Sequence, residues 1–372
     1  MKMLPGNISP IIDNPNKQSE YADKHRILNM IELDKIDKNT KIIYEPSAER
    51  NILNIPEWYK IFEIVIKFAV DTDIQLKSPI PPNCKFIFEY YAHDDIFFKP
   101  LEYKTKLINF LKLLPIDTYS IDLSSILSKT IQQDITQYFP KNLKKYHTYT
   151  EYRVSIDNLP QSLEILSLYP ANQDYTYLFL PLTLHTLEIK NYDYQNANII
   201  LPELAHLPLG LKVLSLDSYT HSLASLPEGL EKLLITNYHC SDENIEFYML
   251  PNLKTFQICK WVDNYKIHNV KEYPASLEHL DIDCHIDIGK LPPTLKSLGL
   301  YYYDLSSTVI DIPMNITTIY TEDDFIKQLP AHIKRVIITI KHPGGTGDSK
   351  VCVGDVIFEI NSYNTDECFN VF

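Results

Sequence analysis

The feature that most restricts what this chain can fold into is a proline followed by apolar residues three, six and eight positions later. With the proline as position 0, the pattern occurs at Pro160 (Leu163, Leu166, Leu168), Pro181 (Leu184, Leu187, Ile189) and Pro208 (Leu211, Leu214, Leu216). It continues at Pro227 (Leu230, Leu233, Ile235), Pro274 (Leu277, Leu280, Ile282), Pro292 (Leu295, Leu298, Leu300) and Pro330 (Ile333, Val336, Ile338). Pro251 fits with one residue deleted (Leu253, Phe256, Ile258), and Pro313 is a degraded copy with Ile316 and Ile319 but Thr321. A period of this length marks a stacked-repeat protein.

The spacing has a direct physical reading. Positions +6 and +8 alternate with period two, so +5 to +9 is a short strand that turns +6 and +8 to one side, with +3 pointing inward just ahead of it. Proline lacks an N–H and suits a place before the hydrogen-bonded ladder. One strand with one apolar face is not stable alone, whereas stacked copies give a parallel sheet over a continuous Leu/Ile core. Successive prolines from Pro160 to Pro330 stand 17 to 27 residues apart, and the shortest spacings leave no room for a helix on the return path. Those return segments should be extended or turn-like.

Upstream the pattern weakens. Pro115 (Thr118, Ile121, Leu123) and Pro140 (Leu143, Tyr146, Thr148) read as poorer copies. Between them, residues 122–139 carry Leu127, Ile131 and Ile135 at helical spacing behind a serine N-cap. Residues 85–91 read as a strand and 101–114 as a helix ending at Pro115. A further helix is predicted from Pro56, proline being favoured at a first helical position, with Ile61, Val65 and Phe68 packing on the first strand. The organisation expected is a helical N-terminal cap over 1–80, degenerate helix-containing repeats over 81–158, regular repeats over 159–340 and a C-terminal cap over 341–372. Caps are needed because the end faces of an array otherwise expose core.

The motif L-P-x-x-L-x-x-L-x-[LI] resembles the leucine-rich repeat in its Leu-Pro-initiated form, and is similar to FNIP-type repeats of giant DNA viruses and amoebae. The resemblance covers residues 159–340 strongly and 80–150 weakly. It implies an α/β solenoid, a horseshoe with a parallel sheet on its concave face, helices in the N-terminal repeats and mostly extended convex segments in the C-terminal ones. It also implies a protein-interaction scaffold, of an adaptor or viral or host-directed kind. Leucine-rich repeats usually place an asparagine three residues after the last strand leucine, bonding backbone groups of the turn. Here that column reads Ala171, Tyr192, Tyr219, Tyr238, Trp261, His285 and Tyr303, and the rings of Tyr192, Tyr219, Tyr238, Trp261 and Tyr303 are expected to stack from coil to coil.

Bulk properties narrow the function. The formal charge is -13 and only four arginines occur, Arg26, Arg50, Arg153 and Arg335. Nucleic acids and anionic membranes want a basic face, so both are disfavoured as partners. The six cysteines, Cys84, Cys240, Cys259, Cys284, Cys352 and Cys368, form no CxxC pair and no zinc spacing, and read as reduced thiols of a cytoplasmic protein. The N-terminus lacks a continuous apolar region, and no apolar run is long enough to span a bilayer.

Candidate partner-binding residues come from the outward positions +5, +7 and +9. They are Ile165, Tyr169, Glu188, Val213, Asp217, Lys232, Leu234, Gln257, His279, Asp281, Asp283, Tyr301 and Tyr320. Apolar and aromatic members there suit a protein-binding patch. Residues 278–287 concentrate His279, Asp281, Asp283, His285 and Asp287. Alternate strand residues spread over about 13 Å, too far to converge on one ion, so an acidic recognition patch or a plain solvated face is expected, and no metal or other cofactor. Residues 343–350 lack the order of a phosphate loop and read as a turn in the cap. No catalytic residue is assigned. The enzymatic alternative is a ubiquitin-ligase-like factor acting through the N-terminal region, where Cys84 is the one available thiol nucleophile. A virion or other structural component would leave no distinguishing mark.

Overall fold

The structure, a computed structural model, describes residues 41–44, 52–53, 63–69, 75–76, 84–89, 100–123, 135–150, 158–170, 180–190, 204, 206–217, 219, 226–236, 244–246, 250–259, 269–283, 289–301, 312–316, 318–321, 332–341, 349–353 and 356–363. The chain divides into two compact units, which meet in sequence near residue 193.

The first unit holds β1 (Lys41–Tyr44), β2 (Ile52–Leu53), β3 (Glu63–Ala69), β4 (Gln75–Leu76), β5 (Cys84–Glu89), helix α1 (Pro100–Leu111), β6 (Ser120–Asp122), β7 (Lys145–Thr150), β8 (Ile165–Pro170) and β9 (Thr186–Ile189). Its sheet runs β1-β3-β5-β6-β7-β8-β9, parallel throughout, and β2 pairs with β4 separately. The second unit holds β10 (Val213–Asp217), β11 (Lys232–Thr236), β12 (Asn244–Glu246), β13 (Thr255–Cys259), β14 (Asn269–Glu272), β15 (His279–Asp283), β16 (Ser297–Tyr301), β17 (Thr318–Thr321), β18 (Arg335–Lys341), β19 (Ser349–Val353) and β20 (Val356–Tyr363). Its sheet runs β10-β11-β13-β15-β16-β17-β18-β20-β19, parallel except for the last pair, where β19 closes antiparallel on β20. β12 and β14 pair with each other in the return segments, so the connections there are extended as the spacing requires. In each unit the repeats thus build a parallel β-solenoid.

Each coil is built alike. The turn closes by an N–H from +3 to the carbonyl of position 0, as in Leu163 to Pro160, Leu230 to Pro227 and Leu277 to Pro274, at 3.0–3.2 Å across the series. Position +1 points to solvent even where apolar, Leu182 being 83% and Leu209 88% exposed. The carbonyl at +4 then accepts two N–H groups from the next coil. Lys144 receives those of Glu164 and Ile165, and Lys254 those of Glu278 and His279. Both strands therefore start level, and the described leucines and isoleucines at +3, +6 and +8 stack into one buried column in each unit. Each such side chain contributes roughly 1.5–3 kcal/mol before entropy is subtracted. The coils of Pro115 and Pro140 are the more polar ones, with Thr118 at +3 of the first and Thr148 at +8 of the second fully buried. Tyr146 is fully buried, packs edge-on against Phe139 at 4.7 Å, and burial pushes its phenol pKa upward.

The backbone-binding ladder of these coils lies at +2. Ser162 donates its hydroxyl to the carbonyls of Lys141 (2.8 Å) and Leu143 (2.9 Å), and Thr183 donates to those of Gln161 (2.8 Å) and Leu163 (2.7 Å). Asn252, Ser276, Thr294 and Asn315 reach back to the carbonyls of Glu228, Leu253, Leu277 and Leu295. Of the aromatic column, Tyr219 is fully buried, and Tyr192, Tyr238, Trp261, His285 and Tyr303 lie outside the described residues.

Three expectations change. Of the helix expected from Pro56, residues 56–62 lie outside the described set and its continuation is strand β3, and the described elements of 1–80 are all strands. The β-branched run Ile64-Val65-Ile66 favours strand, and pairing with both β1 and β5 overrides the helical spacing. At Pro251 no residue is missing: the N–H of Leu253 bonds Leu250, so Leu250 stands at position 0 and Pro251 at +1. Of the helix expected over 122–139, residues 124–134 lie outside the described set, while Thr136–Tyr138 is a 3-10 turn. The helix over 101–114 is present as α1, and the strand over 85–91 as β5.

Charge reinforces the stacking. Position +4 in five successive coils reads Lys212, Glu231, Lys254, Glu278, Lys296, with ion pairs of 3.1 Å (Lys212–Glu231), 2.9 Å (Lys254–Glu231) and 2.7 Å (Lys296–Glu278). The hydrogen bond from Lys254, then that from Lys212, holds the Glu231 carboxyl below its ordinary 4.5, and Glu231 raises Lys254 above 10.5. A lowered carboxylate contributes stability that is complete above pH 4.5 and is lost as pH falls through the native value. A raised lysine contributes stability that is complete below pH 10.5 and is lost as pH rises through its native value. The melting temperature of Glu231→Gln should therefore trail the wild type near neutrality and converge with it in acid. A constant gap across the acid range would show that the pairs carry no linkage.

Gly229 is a +2 position without a side chain, and a Cβ there would meet the carbonyl oxygens of Leu209 at 3.1 Å and Leu211 at 3.7 Å. These are the counterparts of the two acceptors of Ser162. Gly229→Ser should exceed Gly229→Ala in stability by about 1 kcal/mol, since only the serine adds a donor. Equal denaturant midpoints for the two variants would refute a hydroxyl rung at this position.

Candidate functional site

The outward positions form three rows because the strands are in register. In the second unit, row +5 reads Val213, Lys232, Thr255, His279, Ser297. Row +7 reads Ser215, Leu234, Gln257, Asp281, Gly299, Tyr320, Ile337, Glu359. Row +9 reads Asp217, Thr236, Cys259, Asp283, Tyr301. In the first unit Ile165 pairs with Thr186 in row +5, Ser167 with Glu188 in row +7, and Tyr169 with Tyr149 in row +9. Every sequence-predicted face residue thus holds the row its position assigned. The side chains of Tyr169, Asp283 and Tyr301 lie outside the described set.

The face is less open than a simple alternation of core and solvent implies. Leu234 is 7% exposed and Asp281 8%, and Asp217, Thr236, Ser215 and Ile337 are likewise buried. Parallel strands lie about 4.8 Å apart, so each side chain is flanked closely by its neighbours in the row. Half-buried residues retain the accessible surface: Ile165, Val213, Lys232 and His279 in row +5, with Glu188, Gln257 and Tyr320 in row +7. Within row +5, Nδ1 of His279 and the hydroxyl of Ser297 hydrogen-bond at 2.7 Å.

One set was missed by sequence reasoning. Row +7 of the first unit continues as Asp122, His147, Ser167, Glu188 on adjacent strands. The copies at Pro115 and Pro140 had been read for their inward positions alone; reading +7 there would have found Asp122 and His147. Their side chains approach at 3.5 Å. Asp, His and Ser in strand order have the residue types of a hydrolytic triad. The Ser167 hydroxyl, however, donates to Glu188 Oε2 at 2.9 Å and the residue is 3% exposed, while Lys190 stands 3.4 Å from the same carboxylate oxygen. The serine is engaged by an acceptor and closed from solvent, which does not suit a nucleophile.

Among the described residues no three His, Cys, Asp or Glu side chains come together as a metal-ligand set. In the 278–287 stretch, His285 and Asp287 lie outside the described residues. Cys84 is the first residue of β5, opposite Ile64, and its side chain is also outside the set. Residues 343–348 lie outside it as well, while Ser349 and Lys350 open strand β19. No described helix is long and apolar enough to cross a membrane.

The sequence matches no protein-family model and no curated protein. Among solved structures, the chain is similar to YopM from Yersinia enterocolitica WA-314, with 18% sequence identity and a TM-score of 0.41, over 75% of this chain and 64% of that one. The chain thus spans less than two thirds of the length of that protein.

The burial of Leu234 gives it a structural share that its outward position hides. Leu234→Ala should lower the unfolding free energy by about 2 kcal/mol. A denaturant melt indistinguishable from the wild type would mean that the side chain stands free on the face.

Proposed function

We propose that this chain is a non-catalytic recognition protein that binds another protein on the outward face of its sheet, as an adaptor or a host-directed factor. The observation that carries this reading is the in-register array of β10 to β17, which brings chemically different side chains from many coils onto one surface. A surface of that kind reads an extended partner position by position, and its half-buried side chains are already held in place by their neighbours, which reduces the ordering cost of binding. Residues 1–80 and 341–372 would then close the ends of the array around the repeats of 81–340. The Leu-Pro repeat opening, which resembles that of FNIP-type proteins of giant DNA viruses and amoebae, supports a viral or host-directed role, and the scattered cysteines support a cytoplasmic setting.

The test uses the half-buried row +5, where substitution spares the core. A Val213→Glu/Lys232→Glu variant should melt within a few degrees of the wild type and lose the partners that the wild type captures and cross-links through this face. An unchanged partner set would count against recognition here.

A further inference from the structure

We draw no further inference here: the strongest candidate, the exposed apolar surface patch of Leu113, Ile116 and Tyr119 just past the C-terminal end of helix α1, carries none because nothing in the structure shows what covers it.

Discussion

A single coil of this protein has one apolar face and nothing to bury it against, so its stability depends on the level at which the next coil lands. That level is set at +4, where one carbonyl accepts two successive N–H groups from the following coil. Lys212, Glu231, Lys254 and Glu278 do this in turn within the second unit. The double acceptance fixes where each strand begins. A slip of one residue would turn Leu280 and Ile282 outward and bring His279 and Asp281 into the core. Burial of the leucines and presentation of the outward rows are therefore consequences of one backbone contact repeated from coil to coil.

Side chains are recruited to the same seam. The +2 hydroxyls and amides occupy turn carbonyls that would otherwise depend on solvent, and the +4 ion pairs alternate in sign so that each coil prefers a neighbour of opposite charge. In water such exposed pairs are individually weak. Lys212, Glu231 and Lys254 form a short network in which one carboxylate serves two cations, and this is the arrangement in which surface charges contribute most to matching coil with coil.

The inward pattern was legible in the sequence because it depends on few and local requirements: a proline that opens the turn, and apolar residues at fixed offsets. Leu163, Leu233 and Leu298 could be assigned to the core from spacing alone. The helix read from Pro56 failed for a reason that spacing cannot reveal, since Ile64, Ile66 and Phe68 satisfy a strand as readily as Ile61, Val65 and Phe68 satisfy a helix. The pairing of β3 on both edges settles the matter. Pro251 misled in the opposite way. The proline was treated as the fixed landmark, whereas the turn requires only a carbonyl at position 0 and an inward residue at +3, and Leu250 supplies the first as well as proline does. The ladder at +2 escaped notice because serine, threonine and asparagine in a turn look like ordinary turn residues until their acceptors on the preceding coil are seen.

The candidate face was legible in its rows but not in its burial. Strand alternation assigns Leu234 and Asp281 to the outward side, and nothing in one coil's sequence says how closely the two flanking coils enclose them. That enclosure divides the face by function. Buried outward residues such as Leu234 belong to the fold, and changes there will be felt first as stability. Half-buried residues such as Val213, Lys232, Gln257 and Tyr320 can change with less effect on packing. The accessible part of the rows therefore lies chiefly along +5 and at Glu188, Gln257 and Tyr320 of +7.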